Sequence, residues 1–328
     1  METHLEQLIS AALSRRIDLL TDPAHRTACR LFNGFTEGRQ DLVIDLLGRT
    51  AVIHDYSADC RDFQAMAALL AEKLPFLTSA VLKRRNSTNI NERNGILLRG
   101  VKTDTFIEEH GVRYAVDITL NHDNSFYADT RLLRKYLLEN MKGKSVLNTF
   151  AYTGSLGVAA AAGGAEKVLQ TDISGKFLTA AYRSASLNGF AFTRKNFRFG
   201  DFFTVTAALR KGGEKFDCVI LDPPFFSSSG RGVIDLANNP LGVIAKVRPL
   251  VSDHGVLIVV NNSLYLSGQA FMAALESICD GKYLTLESQI PIPEDFCFAA
   301  GESRAYYPTD PHPFNHPTKI VVLRVHCR

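Results

Sequence analysis

The chain has 328 residues, 46% hydrophobic and 22% charged, which fits two folded domains with a sizeable core and excludes a disordered protein. Its net charge of +3, from 37 Lys+Arg against 34 Asp+Glu, is too small to mark a nucleic-acid binder, which usually shows a concentrated basic face. Six scattered cysteines without a CxxC pair leave no metal-ligand spacing and fit reduced thiols. The N-terminal apolar stretch is interrupted by Glu6, Arg15 and Arg16 and no window approaches a membrane span, so a soluble, cytoplasmic protein is expected.

In chain order, residues 1–20 have apolar residues at helical spacing and stop near "TDPAHR". The stretch "CRLFNGFTEGRQDLVIDLLGRTAVIHDYS" reads as strands broken by glycine turns. "DFQAMAALLAEKLPFL" reads as a helix stopped at Pro75, and "SAVLKRR", "NGILLRG" and "VRYAVDITL" as further strands. Residues 1–120 are therefore expected to form a small α+β domain. A helix capped by Asp129 or Thr130 is expected from Arg131 to Gly143.

From there the pattern becomes regular. "KSVLNTF", "KVLQTDIS", "FDCVILD" and "GVLIVVNNS" read as apolar strands, with helices at "SLGVAAAAGG", "KFLTAAYRSASLNG", "VTAALRKG", "NPLGVIAKVRPLV" and "SGQAFMAALESICD". "FRFGDFF" is a short strand or turn, and "TKIVVLRVHC" an antiparallel edge strand. Apolar strands alternating with helices imply parallel βαβ units. The expected fold class is α/β: a Rossmann-like, doubly wound sheet over residues 121–328, behind the smaller N-terminal α+β domain.

In such a sheet, ligands bind at the carboxyl ends of the strands. Those ends read "NTFAYTGSLG", "TDIS", "GDFF", "LDPPFF" and "NNS". Gly154 and Gly157 permit positive φ and close backbone approach, yet the turn is neither GxGxxG nor a lysine-bearing phosphate loop. Asp172, about 18 residues on, can accept the hydroxyl protons of a ribose. A ribose clamp without a pyrophosphate loop favours an adenosyl ligand lacking phosphates, and S-adenosylmethionine fits. Taken singly, such a turn is also plain punctuation and such an Asp a helix cap. Asp201 and Asp222 recurring at successive strand ends favour the functional reading.

The stretch "FDCVILDPPFFSSS" ends a core strand on a carboxylate and stiffens the turn with two prolines. The Asp222 carboxylate or the adjacent carbonyls can accept from a base amino group, while Phe225 or Phe226 offers a face for a planar base, worth about 1–3 kcal/mol. Such preorganisation suits methyl transfer, where in-line positioning supplies much of the rate.

"FYADTRLLR", "VLNTFAYTGSLGVAAAAGGAEKVLQTDIS", "SLNG", "GDFF" and "FDCVILDPPFFSSS" resemble, in order, the class I S-adenosylmethionine-dependent methyltransferases of bacterial large-subunit ribosomal RNA, both the cytosine-C5 and guanine-N7 types. The likeness is strongest over residues 120–265. The phrases "RLFNGFTEGRQDLVIDLLG" and "EEHGVRYAVD" also look like that family's central domain. By this resemblance Phe150, Tyr152, Thr153 and Gly154 would wrap the cofactor, with Asp172 on its ribose and Asp201 and Phe202 by the adenine. Asp129 and Arg131 would close the methionine end, and Asn148, Ile173 and Ser174 fall in the same cofactor-binding segments. Asp222, shared with the cofactor set, would face the target together with Pro223, Pro224 and Phe225.

Two departures narrow the reading. Cytosine-C5 members carry a nucleophilic Cys after the fifth strand; here the equivalent position is Asn262, and Cys218 sits inside a strand. Direct transfer to a nitrogen, guanine N7 or an exocyclic amine, is therefore expected. Many relatives also open with an RNA-binding PUA domain, for which no room is expected before Asn33. The basic clusters Lys83, Arg84 and Arg85, and Arg131, Arg134 and Lys135, are candidate phosphate contacts. The histidines are dispersed, and the "HPFNHP" loop is a candidate border of the target pocket. The expected partner is RNA, 23S rRNA in the first place, with no membrane; a homodimer is compatible. The rival readings are a small-molecule methyltransferase and a non-catalytic RNA-binding or ribosome-assembly factor with the same fold.

Overall fold

A computed structural model of the chain describes residues 3–57, 61–235, 238–263, 266–279, 281–297 and 318–327. These residues divide into two units. One runs up to Asp129 and takes in the segment from Glu294; the other runs from Thr130 to Pro293 and includes the C-terminal strand. The "HPFNHP" loop and Cys60 lie outside the described residues.

The N-terminal unit contains α1 (Thr3–Arg15), β1 (Ala28–Phe32), β2 (Leu42–Leu47), β3 (Thr50–Asp55), α2 (Phe63–Lys73), β4 (Ser79–Arg84), α3 (Ile90–Asn94) and β5 (Ile96–Arg99). A hairpin of β6 (Phe106–Glu109) and β7 (Val112–Ala115) follows. The strands β1 to β5 form one sheet in chain order, antiparallel except for the β3–β4 pair. That pair is parallel because α2 carries the chain across, capped by Asp62 on the Ala65 N–H at 2.9 Å and stopped before Pro75. One sheet face is apolar: Leu31, Ile44, Ile53 and Leu82 meet Leu5, Ile9 and Leu13 of α1 and Met66 and Leu70 of α2.

The other face is polar and also buried. Arg30 on β1 holds Asp45 on β2 at 2.8 Å, and Asn124 donates to the same carboxylate at 2.9 Å. Burial opposes the charge on Asp45, but Arg30 and His54 beside it outweigh burial and hold its carboxyl below the usual range. Strand β7 ends at Ala115, so the expected strand "VRYAVDITL" is shorter than its apolar run.

The second unit contains α4 (Arg131–Asn140), β8 (Ser145–Thr149), α5 (Ser155–Ala162), β9 (Lys167–Asp172), α6 (Gly175–Leu187), β10 (Phe197–Phe199), α7 (Phe202–Lys211) and β11 (Phe216–Leu221). After a hairpin of β12 (Phe226–Ser229) and β13 (Gly232–Asp235) come α8 (Pro240–Val247), β14 (Val251–Asn261), α9 (Gly268–Glu276), β15 (Leu284–Ile290) and β16 (Lys319–Val325). The main sheet has the order β10-β9-β8-β11-β14-β16-β15, its first five strands parallel. This is the doubly wound α/β sheet expected from the sequence.

Period-two alternation feeds two cores. Leu147, Val219, Leu221, Leu257 and Val259 face α7, α8 and α9, while Val146, Cys218, Ile220, Ile258 and Val260 face α4 and α5. Two expectations need correcting. Helix α4 ends at Asn140, and its cap residue Thr130 makes no side-chain cap bond. Strand β16 is antiparallel but not an edge: it lies between β14 and β15, and β15 is the edge. The half-exposed pattern of "LTLESQI" on β15 suits an edge, whereas β16 is buried almost throughout. Among the described residues no helix is long and apolar enough to cross a membrane.

Candidate active site

Strand β8 starts the sheet, β9 and β10 lie on one side of it, and β11 and β14 on the other. The order of strands therefore reverses between β8 and β11, where an open α/β sheet leaves a crevice at its carboxyl rim. Register fixes what enters that crevice. Thr149 pairs with both Thr171 and Leu221, so the next residues, Phe150, Asp172 and Asp222, leave three neighbouring strands at one level. Two strand spacings separate the backbones of Asp172 and Asp222 by roughly 10 Å.

The turn after β8 is strained. Phe150 has φ 53°, Tyr152 φ 51° and Gly154 φ 80°; for two bulky aromatic residues the left-handed region is an outlier. What holds the turn is visible. The Ala151 N–H donates to the Thr171 carbonyl at 2.9 Å, the Gly154 N–H to the Ala151 carbonyl at 2.8 Å, and the Tyr152 N–H to Asp172 Oδ2 at 2.8 Å. The Tyr152 ring stands edge-on to Phe177 at 4.5 Å. Thr153 is buried within the turn.

Asp172 takes the Ser174 N–H on its other oxygen, also at 2.8 Å. Burial nevertheless raises its pKa, because these backbone bonds only partly offset the loss of water. Each oxygen keeps a second lone pair, enough to take the two hydroxyls of a ribose. Ile173 beside it is exposed.

Close approach at the turn is built in. A Cβ on Gly154 would sit 2.3 Å from the Ala181 Cβ, and one on Gly157 would sit 2.4 Å from Gln170 Cδ. Asn148 and Gln170, both fully buried, are bonded to each other beneath the turn at 3.3 Å. Their remaining atoms, Asn148 Oδ1 and Gln170 Nε2, have no protein partner. The strained turn, the glycine cradle, the half-buried carboxylate and a buried unpartnered acceptor fit a polar ligand with a ribose.

Asp201 caps α7 through the Thr204 N–H at 3.1 Å, and this bond together with the Ser229 hydroxyl outweighs desolvation and keeps its pKa low. Phe202 is a core residue stacked on Phe150 at 4.5 Å, so it supports the turn from behind. Past β11, Asp222 is half-buried, Pro223 buried, and Pro224 and Phe225 exposed. The hairpin β12–β13 directly continues this loop, and Gly232 lets it lie on Phe203, whose ring a Cβ would meet at 2.6 Å. Asp129 falls at the end of the N-terminal unit, within electrostatic reach of Arg30, and Arg131 opens α4 in the second.

Cys218 lies buried in mid-strand with its thiol pushed up to about 12, so it is no nucleophile. Asn262 directly follows β14, its Oδ1 buried without a protein partner. Of the cations singled out in the sequence, Lys83, Arg84, Arg85 and Arg134 are otherwise engaged. Lys83 is fully buried and donates to the carbonyls of Ile118, Asn121 and Asp123. Arg84 pairs with Asp55 and Glu92, and Arg85 with Asp123. Arg134 is buried on Thr130 Oγ1 at 2.8 Å, leaving Lys135 exposed beside Glu139. Sequence reasoning missed Gln170, whose only signal was a polar residue inside an apolar strand, and the hairpin, signalled by "SSSGRG".

A family model described as S-adenosylmethionine-dependent methyltransferase matches residues 82–282. YwbD of Bacillus subtilis (strain 168) is 27% identical over 300 residues, covering 89% of this chain and 75% of the relative. Ribosomal RNA large subunit methyltransferase I of Aeromonas salmonicida (strain A449) is 31% identical over 274 residues, covering 80% of this chain and 69% of the relative. The crystal structure of SMU.776 complexed with SAH has the same fold, with a TM-score of 0.83 at 22% identity over 98% of this chain and 81% of the other.

Proposed function

The chain belongs to the S-adenosylmethionine-dependent methyltransferases, with S-adenosylmethionine as cofactor, and from that premise we propose that it methylates a nitrogen of a nucleobase in 23S ribosomal RNA. The names of its relatives as large-subunit ribosomal RNA methyltransferases support the substrate class. The observation that carries the reading is the loop Asp222–Pro223–Pro224–Phe225. It directly follows β11 at the carboxyl end of the sheet, with Asp222 half-buried and Phe225 exposed.

The bound cofactor supplies an electrophilic methyl group on a sulfonium. Asp172 would take the ribose hydroxyls on its free lone pairs. The turn Phe150–Gly154 and Ser174 would hold the adenosyl group against the glycine cradle, with Asn148 Oδ1 as a buried acceptor. The Asp201–Phe202 corner would border the adenine, and Arg131 the methionine end. At the other side of the rim Phe225 would stack the target base while Asp222 accepts from its amino group. The two prolines keep that loop in one shape, so the geometry is set before the base arrives.

Guanine N7 offers a lone pair and needs no base; an exocyclic amine loses one proton, for which Asp222 is the adjacent acceptor. Among the described residues of this unit the cysteines are Cys218 in mid-strand, and Cys279 and Cys327 toward the amino ends of the strands. Their placement supports direct transfer over a thiolate adduct. Recognition of RNA by residues 1–120 and a cytoplasmic location belong to the same proposal.

The test is transfer of labelled methyl from the cofactor to deproteinised 23S rRNA from a strain lacking the gene, followed by mass mapping of nucleosides. One N-methylated purine or amine-methylated base at a single position is expected. Label in no RNA, with salt-insensitive turnover of a small molecule instead, would overturn the proposal.

A further inference from the structure

Between Asp172 and Asp201 lie 28 residues with five cations, six aromatic side chains and no acid. That segment carries +5 in a chain whose total is +3, so the rest of the molecule carries −2. A neutral-looking composition thus hides a concentrated basic segment.

The fold gathers this segment at one edge of the main sheet. Lys176 and Arg183 stand seven residues apart on the outer ridge of α6, Arg194 and Lys195 occupy the turn before β10, and Arg198 is on β10 itself. All five are exposed, and among the described residues none pairs with a carboxylate. Between the cations runs a chain of rings. Phe190 meets Phe192 at 6.2 Å, Phe192 meets Phe197 at 5.8 Å, and Phe197 meets Tyr182 at 6.3 Å. Phe199 and Tyr182 remain 69% and 50% exposed.

We propose that this α6–β10 face is a binding surface for single-stranded RNA that leads into the catalytic rim; the proposal rests on RNA being the substrate. Cations that follow a backbone, interleaved with rings that accept any base, are what sequence-tolerant binding of single strands requires. Simple protection of an edge strand needs only one or two charges and gains nothing from an exposed Phe199. A second copy of the chain fits poorly, because a two-fold axis would set +5 against +5. The face is also continuous with the site: Phe199 lies 3.9 Å from the Cβ position of Gly175, next to Ser174, whose N–H holds Asp172. The cations that the sequence suggested for this task, Lys83 and Arg85, are engaged by backbone carbonyls and Asp123.

The test compares the full chain with the triple variant R194Q/K195Q/R198Q, using deproteinised 23S rRNA from a strain lacking the gene. Control cations Lys142, Lys211 and Lys246, exposed elsewhere in the same unit, are changed to Gln in a second triple variant. Single-strand contacts contribute about 0.7 each to the salt slope, so the first variant should lower the slope by about 2 and weaken binding at least tenfold near 0.1 M salt. Its affinity for S-adenosylhomocysteine and its Tm should stay unchanged. Phe199→Ala should lose about tenfold in RNA affinity alone. Equal RNA binding by wild type and the first triple variant, or equal losses in both triple variants, overturns the surface and leaves the methyltransferase reading standing. Loss of cofactor affinity in Phe199→Ala, in step with RNA, overturns the stacking role. A wild-type chain that methylates no RNA overturns both proposals.

Discussion

Gly157 of α5 lies so close to Gln170 of β9 that a Cβ at position 157 would come within 2.4 Å of the Gln170 Cδ. The side chain it would strike is fully buried and bonded to Asn148, so it has nowhere to swing. Gly157→Ala should therefore destabilise the protein by about 1–3 kcal/mol, as overpacking does. It should also weaken S-adenosylhomocysteine binding, because the strained turn rests on this pair. Gly157→Ala with Gln170→Ala should be less destabilised than the sum of the single changes. Urea midpoints and calorimetry check this; additive losses would show that the contact does not position the turn.

Asp172 gives opposite pH signatures for folding and for binding. Its native pKa is raised by burial, so the native state holds this proton more tightly than the unfolded chain, where the value is about 3.9. The stability attributable to Asp172 is therefore greatest below about pH 3.9 and declines as pH rises through the native value. Affinity for S-adenosylhomocysteine should do the reverse, rising with pH as the carboxylate forms. Asp172→Asn should flatten both trends and weaken binding by about 10- to 100-fold, the range for a hydrogen bond to a charged group. Calorimetry between about pH 4 and 8 is the check; binding by the variant at wild-type strength would remove Asp172 from the site.

Much of the sheet and its carboxyl rim was legible before folding because a buried parallel strand writes itself as an apolar run. "VLNT", "CVIL" and "VLIVV" needed no alternation to be read, and the polar residue ending each run marked the rim. The positions of Asp172 and Asp222 at the carboxyl ends of β9 and β11 were read that way. The β12–β13 hairpin was not, since its apolar content is small and its serines and glycines read as loop. Strand β15 was missed for a related reason: an edge strand with one solvated side lacks the apolar density of its neighbours. Lys83 misled for a third reason. Its acceptors are main-chain carbonyls in 118–123, and backbone groups leave no mark in a sequence.

Phe225 and Phe202 should separate the two halves of the reaction. Phe225 is exposed three residues past Asp222, whereas Phe202 is stacked on Phe150 in the core. Phe225→Ala should retain S-adenosylhomocysteine affinity and lose at least tenfold in transfer to RNA, the loss of one stacked base. Phe202→Ala should lose about 3–5 kcal/mol of stability, with weaker cofactor binding as the turn loosens. Equal loss of cofactor affinity and transfer in Phe225→Ala would contradict its place on the target side.

Lys83 should behave as a structural cation and not as an RNA contact. Burial draws its ammonium down to about 7 against the pull of Asp123, and its three donors meet the carbonyls of Ile118, Asn121 and Asp123. Lys83→Met keeps much of the volume but leaves those carbonyls without their donor, each costing about 1–3 kcal/mol where water cannot replace it. A fall of about 3 kcal/mol or more in unfolding free energy is expected, read as a lower urea midpoint at unchanged slope. A phosphate-contacting lysine gives the opposite pattern: near-normal stability and an RNA salt slope reduced by about 0.7 to 0.9. Lys83→Met should leave that slope unchanged while folded, because a buried ammonium whose three donors are taken by backbone carbonyls has none left for a phosphate.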